Sequence, residues 1–108
     1  MGNYDYSTRK AYTNKPYEAY GACTITVSGV SDYSVKDNTS LFDVLTYPVE
    51  LVVRNGSQDI TVKFNSNTND SVPVYADTDW GVSSFAVSDL FVTVSGSCTI
   101  TIFTLGWS

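Results

Sequence analysis

Apolar and polar side chains alternate along most of the chain, a pattern typical of half-buried β-strands. In residues 22–30, Cys23, Ile25 and Val27 share one face, while threonine and serine occupy the other. The same period of two returns in residues 49–54, 60–64, 72–76, 90–94 and 98–105, and residues 82–87 lead to a bend at Ser88 and Asp89. Pro73 places the strand at 72–76 at a sheet edge, because proline cannot donate to a β-ladder. No alternation of strands with helices occurs, so the strands are predicted to pair antiparallel.

Turn signals separate these runs. Asn55 and Gly56 predict a hairpin between the strands at 49–54 and 60–64, with a loop that can extend to residue 59. Residues 77–81 and 95–97 read as further turns. Residues 41–47 form the only plausible helical turn, ended by Pro48, although a strand or irregular crossing fits nearly as well. Seven or eight short strands at spacings near ten residues predict an all-β antiparallel β-sandwich or jelly roll.

Two segments near the two ends of this β domain have similar sequences. Residues 21–27 read Gly-Ala-Cys-Thr-Ile-Thr-Val, and residues 96–102 read Gly-Ser-Cys-Thr-Ile-Thr-Ile. A single pair of similar segments is not a solenoid repeat. We expect the two strands to occupy similar environments, as neighbours in one sheet.

The first twenty residues differ from the rest. They contain five of the eight tyrosines and almost no aliphatic side chain, so they cannot form a core of their own. Tyrosine provides a large contact area at low entropic cost, which suits an interface. We therefore predict an N-terminal arm at 1–20 and a β-sandwich domain at 21–108, the alternative being a first strand packed on its own domain. The candidate partner-binding residues of the arm are Tyr4, Tyr6, Arg9, Lys10, Tyr12, Tyr17 and Tyr20.

Charge and composition narrow the function. The 108 residues carry 11 acidic and 6 basic side chains and no histidine, which gives a net charge of −5. An acidic chain is a poor match for nucleic acid, and the lack of histidine removes the commonest base and transition-metal ligand. No apolar run is long enough to span a membrane, and no signal peptide pattern opens the sequence. We expect synthesis in a cytoplasm, no nucleic-acid or membrane partner and no cofactor.

Candidate chemistry is sparse. Asp77 and Asp79, with Asp70 nearby in sequence, either bind Ca²⁺ or are solvated turn residues, and the spacing of a known calcium loop is missing. No activated nucleophile or carboxylate pair is evident, so we predict no enzyme and no metal site. Cys23 and Cys98 are either two buried thiols or a disulfide.

Trp80 is the candidate for ligand binding. It lies in a polar stretch beside Gly81, where partial exposure is expected. An exposed indole on a β-sandwich can stack on a sugar ring, which makes Trp80 a possible glycan-binding residue.

From residue 49 to 107 the succession of strands and turns resembles that of small virion proteins of tailed bacteriophages. The segments that carry the resemblance are the Asn-Gly turn, the strand Asp-Ile-Thr-Val-Lys-Phe-Asn at 59–65 and Ser-Asp-Leu-Phe-Val-Thr-Val-Ser-Gly at 88–96. These virion proteins are of the capsid decoration (cement) or head-fibre type, and phage tail accessory domains are also similar.

This resemblance implies a non-enzymatic structural protein of the virion. It also implies a jelly-roll body and a homo-oligomer, with a trimer favoured. The arm would dock on the major capsid protein, another virion protein or a neighbouring subunit. Three arms on one trimer would bind by avidity. The alternative function is a carbohydrate-binding or adhesion module on a phage tail or fibre, with Trp80 at its site.

Overall fold

A computed structural model describes residues 19–43 and 47–107 of the chain. The arm residues Tyr4, Tyr6, Arg9, Lys10, Tyr12 and Tyr17 lie outside the described residues. Six strands and one short helix follow one another: β1 (Ala19–Ser34), α1 (Val35–Asn38), β2 (Tyr47–Arg54), β3 (Ile60–Phe64), β4 (Val72–Val74), β5 (Asp79–Ser83) and β6 (Leu90–Trp107). No described helix is long and apolar enough to cross a membrane.

The strands form one antiparallel sheet in the order β4-β3-β6-β2-β5, with β1 on the other edge of β6. β2 and β3 lie end to end along β6: Arg54 is opposite Thr101, and Thr61 is opposite Thr93. The Asn-Gly hairpin prediction is therefore wrong, because β2 and β3 pair with β6 and not with each other. Residues 55–59 instead form a corner between the two.

β6 is continuous, whereas a turn was predicted at residues 95–97. Opposite these residues, the pairing with β1 shifts register after Ser28, and Gly29 adopts a left-handed backbone with φ 58°. The strand therefore runs through this segment, and the described residues form six strands where seven or eight were predicted.

The helix lies earlier than the sequence predicts. Ser34 caps α1 by accepting a hydrogen bond from the backbone amide of Asp37 at 3.1 Å. Residues 41–43 form a turn, and Leu41 and Phe42 are buried. The N-cap decides the position, because a serine hydroxyl satisfies an amide that the first helical turn leaves free.

The core lies on the inner face of the curved sheet. Its largest fully buried side chains are Leu51, Leu90, Ile100 and Ile102, with valines from most strands around them. Alternation places them there as predicted, and the edge position of β4 with Pro73 is also confirmed. The all-β antiparallel prediction therefore holds.

A buried asparagine holds the corner between β2 and β3. The Asn55 side chain is 6% exposed. Its Nδ2 donates to the carbonyl oxygens of Gln58 at 2.7 Å, Val74 at 3.0 Å and Tyr75 at 3.1 Å. Its Oδ1 accepts from the Gly56 amide at 2.8 Å and faces the Cys98 Sγ at 3.2 Å. One side chain thus ties the corner to the end of β4 and to β6.

Gly56 is required beside it for a different reason. A Cβ at this position would overlap the carbonyl oxygen of Thr99 in β6. The corner therefore needs glycine for close approach of two backbones and not for a positive φ, which the hairpin prediction assumed.

A second buried polar group fixes the start of β6. The Asp89 carboxylate accepts hydrogen bonds from the Ser34 hydroxyl at 2.7 Å and from the amides of Lys36 at 3.0 Å and Leu90 at 2.7 Å. It joins the end of β1, the helix and β6 in one network. Its burial is tolerated because these donors satisfy the carboxylate.

Candidate functional site: an aromatic groove

The edge strand β5 approaches β3, the neighbour of the edge strand β4, at one side of the molecule. Phe64 lies at the end of β3 and Trp80 in β5, which are separated in the sheet by β6 and β2. Nevertheless their ring centroids are 5.4 Å apart, with an interplanar angle of 35°. The sheet therefore curls until its two ends meet, and Phe64 and Trp80 form the contact.

Strand alternation explains why Trp80 points into this contact. Trp80 is opposite Val53, and Val82 is opposite Leu51, both of which are core residues of β2. Trp80 and Val82 therefore share the inner face. Because β5 lies at the edge of the sheet, none of the described strands covers them, and both remain half-buried. The turn predicted at 77–81 is present at Asp77, but its predicted extent is wrong, because Asp79 already begins a strand.

An open groove of about 440 Å³ lies where the two ends meet. It is lined by Phe64, Val72, Trp80, Val82, Ser83, Ser84 and Phe85. This volume falls within the range of about 300–1,000 Å³ that is usual for small-molecule sites. The lining consists of five apolar or aromatic residues and two serines, and it includes no charged side chain.

Phe85 forms one wall of the groove. Ser84 has a left-handed backbone, φ 56°, immediately after β5. Here the chain turns back, so that the Phe85 ring meets the edge of Phe64, with centroids 5.8 Å apart at 76°. Phe85 nevertheless stays 44% exposed. Together with the half-buried Phe64 and Trp80 it forms a continuous, partly exposed apolar surface, and such patches commonly mark binding sites.

The other candidate residues do not join this site. Asp79 forms an ion pair with Arg54 at 3.3 Å on the exposed outer face. Asp77 is a left-handed turn residue whose amide donates to the carbonyl of Gly56 at 2.7 Å. Among the described residues no three His, Cys, Asp or Glu side chains come together. Asp70, Asp77 and Asp79 are therefore not brought together as one cluster.

The two cysteines are free thiols. Cys23 is opposite Ile102, and Cys98 is opposite Val27, so four residues of register separate them on neighbouring strands. This offset corresponds to about 13 Å, well beyond the reach of a disulfide. Burial raises the pKa of Cys23, partly offset by a hydrogen bond to the Thr39 side chain. Both thiols are structural.

Tyr20 and Trp107 occupy opposite environments. Tyr20 lies in β1 on the outer face and is 71% exposed, so the last tyrosine of the predicted arm belongs to a strand. Trp107 is buried at the end of β6. Of the two tryptophans, only Trp80 lines the groove. The sequence named Trp80 but missed Phe64 and Phe85, because nothing local shows that the sheet ends meet.

Comparison with known proteins identifies the fold. A cupin-superfamily protein of Desulfitobacterium hafniense superimposes with a TM-score of 0.52 at 10% identity, over 85% of this chain and 72% of that one. A cupin-2 domain protein of Shewanella frigidimarina gives 0.48 at 11% identity, over 95% and 90%. A protein of Neisseria meningitidis gives 0.47 at 14% identity, over 85% and 88%. No family model and no curated protein matches the sequence.

The resemblance to bacteriophage virion proteins is wrong, because the structural neighbour with a TM-score of 0.52 is a cupin-superfamily protein. It depended on a succession of turns that the structure arranges differently: residues 55–56 are a corner between two strands, and residues 95–97 lie inside one strand. A fold does not carry function with it. The chain has no histidine, and the described inner face is mainly aliphatic, so it offers no ready ligands for a metal ion. The comparison therefore establishes a cupin-like jelly-roll fold.

Proposed function

We propose that this protein is a carbohydrate-binding module and that the aromatic groove holds one or two rings of a neutral glycan. The observation that carries the proposal is the half-exposed indole of Trp80, which is framed by Phe64 and Phe85 in an open groove. This assigns to the groove the glycan-binding role that the sequence suggested for Trp80.

The chemistry of the lining favours a sugar. The C–H face of a pyranose ring is apolar and flat, so it gains by leaving water for an aromatic surface. The rim provides the hydroxyls of Ser83 and Ser84, which can both donate and accept hydrogen bonds. No lining residue offers a positive charge to a phosphate or carboxylate, which favours a neutral ligand.

Binding without hydrolysis is the simplest activity of this site. A glycosidase needs two carboxyl groups on opposite sides of the bond that it cleaves. The residues that line the groove include none. We therefore propose recognition only, with no reaction at the bound sugar.

The other expected role, capsid decoration through the arm, stays a prediction that nothing here tests. Six of its seven candidate residues lie outside the described residues, and the seventh, Tyr20, is on the outer face. The trimer and the virion partners depended on the same resemblance. The groove supports a role in glycan binding whatever the protein is attached to.

A glycan array tests the proposal with two matched variants. Trp80→Ala removes the stacking surface, whereas Tyr75→Ala removes a 62% exposed aromatic that does not line the groove. We expect wild type and Tyr75→Ala to bind the same neutral glycans, and Trp80→Ala to lose them. Binding that survives Trp80→Ala, or that is absent from the wild type across neutral and charged glycans, would show that the groove is not a sugar site.

A further inference from the structure

The outer edge of β1 is a surface that no described strand covers. Among the described residues β1 pairs only with β6, so the backbone groups on its other side have no ladder partner. Residues 19–28 keep one unbroken register, and the irregularities begin only after Ser28. This gives a straight edge ten residues long.

This edge lacks the features that usually prevent pairing. Natural edge strands are protected by charges, by proline, by bulges or by being short. Residues 19–31 contain no charged residue and no proline. Their outward side chains at Ala22, Thr24, Thr26 and Ser28 are exposed and small. The edge therefore presents no obstacle to another strand.

The structure already shows what β1 pairs with. Its Cys-Thr-Ile-Thr-Val segment lies antiparallel to the Cys-Thr-Ile-Thr-Ile segment of β6, with Ile25 opposite Ile100. Two threonine pairs bond across the strands, Thr24 to Thr101 at 3.1 Å and Thr26 to Thr99 at 2.9 Å. A second copy of β1 offers nearly the same residues, in the same order, as the β6 strand that β1 already binds.

We propose that two copies of the chain join antiparallel through their β1 edges, with Ile25 on the two-fold axis. In the register of the existing pair, Thr24 of one copy faces Thr26 of the second copy, and the reverse contact follows by symmetry. Each copy's sheet then continues into the other. The interaction is independent of the aromatic groove, which lies where β3 and β5 meet.

Charged substitutions test whether the β1 edge, and not the neighbouring surface of β6 on the same face, forms the contact between the two copies. The double variant Thr24→Glu with Thr26→Glu places like charges directly opposite each other across the proposed contact. The matched control, Thr99→Glu with Thr101→Glu, removes the same two hydrogen bonds and adds the same charge one strand farther in. Sedimentation analysis gives the oligomeric state, and circular dichroism verifies that each variant is folded.

We expect the wild type and the β6 control to be dimers, and the β1 variant to dissociate at least about tenfold more readily. Mixing the β1 glutamate variant with Thr24→Lys, Thr26→Lys should restore a dimer of one chain of each kind. A wild type that is monomeric or trimeric overturns the proposal. Equal dissociation of both glutamate variants, or failure of the mixed pair to associate, overturns it as well.

Discussion

Replacing Asn55 by Asp tests whether one side chain holds the corner between β2 and β3. The change keeps the shape of the side chain but removes both hydrogens of Nδ2. The carbonyl oxygens of Gln58, Val74 and Tyr75 then face an oxygen in place of a donor. At neutral pH the new carboxylate is buried without a cation among the contacts described for Asn55.

The magnitude follows from the number of lost donors. Asp removes two donor hydrogens, and each lost hydrogen leaves a buried carbonyl oxygen unsatisfied at a cost of about 1–3 kcal/mol. At about 2 kcal/mol for each hydrogen, the free energy of unfolding should fall by about 4 kcal/mol. For a domain of this size the melting temperature should fall by about 15 °C or more. Chemical denaturation should show the same loss as a lower midpoint at an unchanged slope.

The pH dependence of the variant gives a second signature. Burial and the facing carbonyls raise the pKa of a carboxyl group at position 55 in the folded state. The folded variant then binds a proton more tightly than the unfolded chain, so its deficit relative to wild type should shrink as the pH falls. A protonated carboxyl can donate one hydrogen bond to the carbonyls, which recovers part of the loss.

Asn69→Asp is the matched control for this substitution. The Asn69 side chain makes one exposed hydrogen bond, from Nδ2 to the carbonyl of Phe64 at 2.7 Å. Its loss should cost no more than about 1 kcal/mol. If Asn55→Asp is no more destabilising than Asn69→Asp, the corner does not depend on the Asn55 contacts and the reasoning fails.

Three other outcomes follow from the same structure. Asp89→Ala should lower the free energy of unfolding by about 3 kcal/mol, because a hydroxyl and two amides lose a buried acceptor. Asp70→Ala, at an exposed position, should have little effect in the same denaturation assay, and equal effects of the two substitutions would contradict the Asp89 network. In the native protein Cys98 should resist alkylation until the chain unfolds, and rapid labelling detected by mass spectrometry would refute its burial. The partly buried Cys23 should react more slowly than an exposed thiol near neutral pH, because its raised pKa lowers the thiolate fraction, and labelling at the rate of an exposed thiol would contradict this. Non-reducing mass analysis of the native chain should find both thiols unoxidised, and an intramolecular Cys23–Cys98 disulfide would contradict the register of β1 and β6.

The pairing of β1 with β6 could be predicted from the sequence. Both segments alternate strictly, and alternation fixes which side chains face the core once strands form. The similar sequences of the two segments also predicted that they are neighbours in one sheet, and Thr24 and Thr26 are indeed opposite threonines of β6. Such features are predictable because each depends on residues within one or two strands.

The corner at 55–59 and the aromatic groove could not be predicted, because both depend on contacts between strands that are far apart in the sequence. Asn55 and Gly56 carry the strongest local signal for a hairpin, but long-range pairing decides the outcome, because β2 and β3 both pair with β6 and not with each other. The contact of Phe64 with Trp80 depends on the curl of a whole sheet. Only Trp80 could be named in advance, and for a different reason than the structure gives: its partial exposure comes from the edge position of β5 and not from a polar turn.

The indole N–H signals in a ¹H–¹⁵N NMR titration test the central claim most directly. The chain has two tryptophans, Trp80 in the groove and Trp107 buried at the end of β6. When a neutral oligosaccharide identified on the array is added, the Trp80 signal should shift and saturate, with a dissociation constant on the order of 1 mM or tighter. The Trp107 signal should stay in place, and Trp107→Phe would verify the assignment. A saturating shift confined to Trp107, or no shift of Trp80 while the glycan binds, would contradict the account.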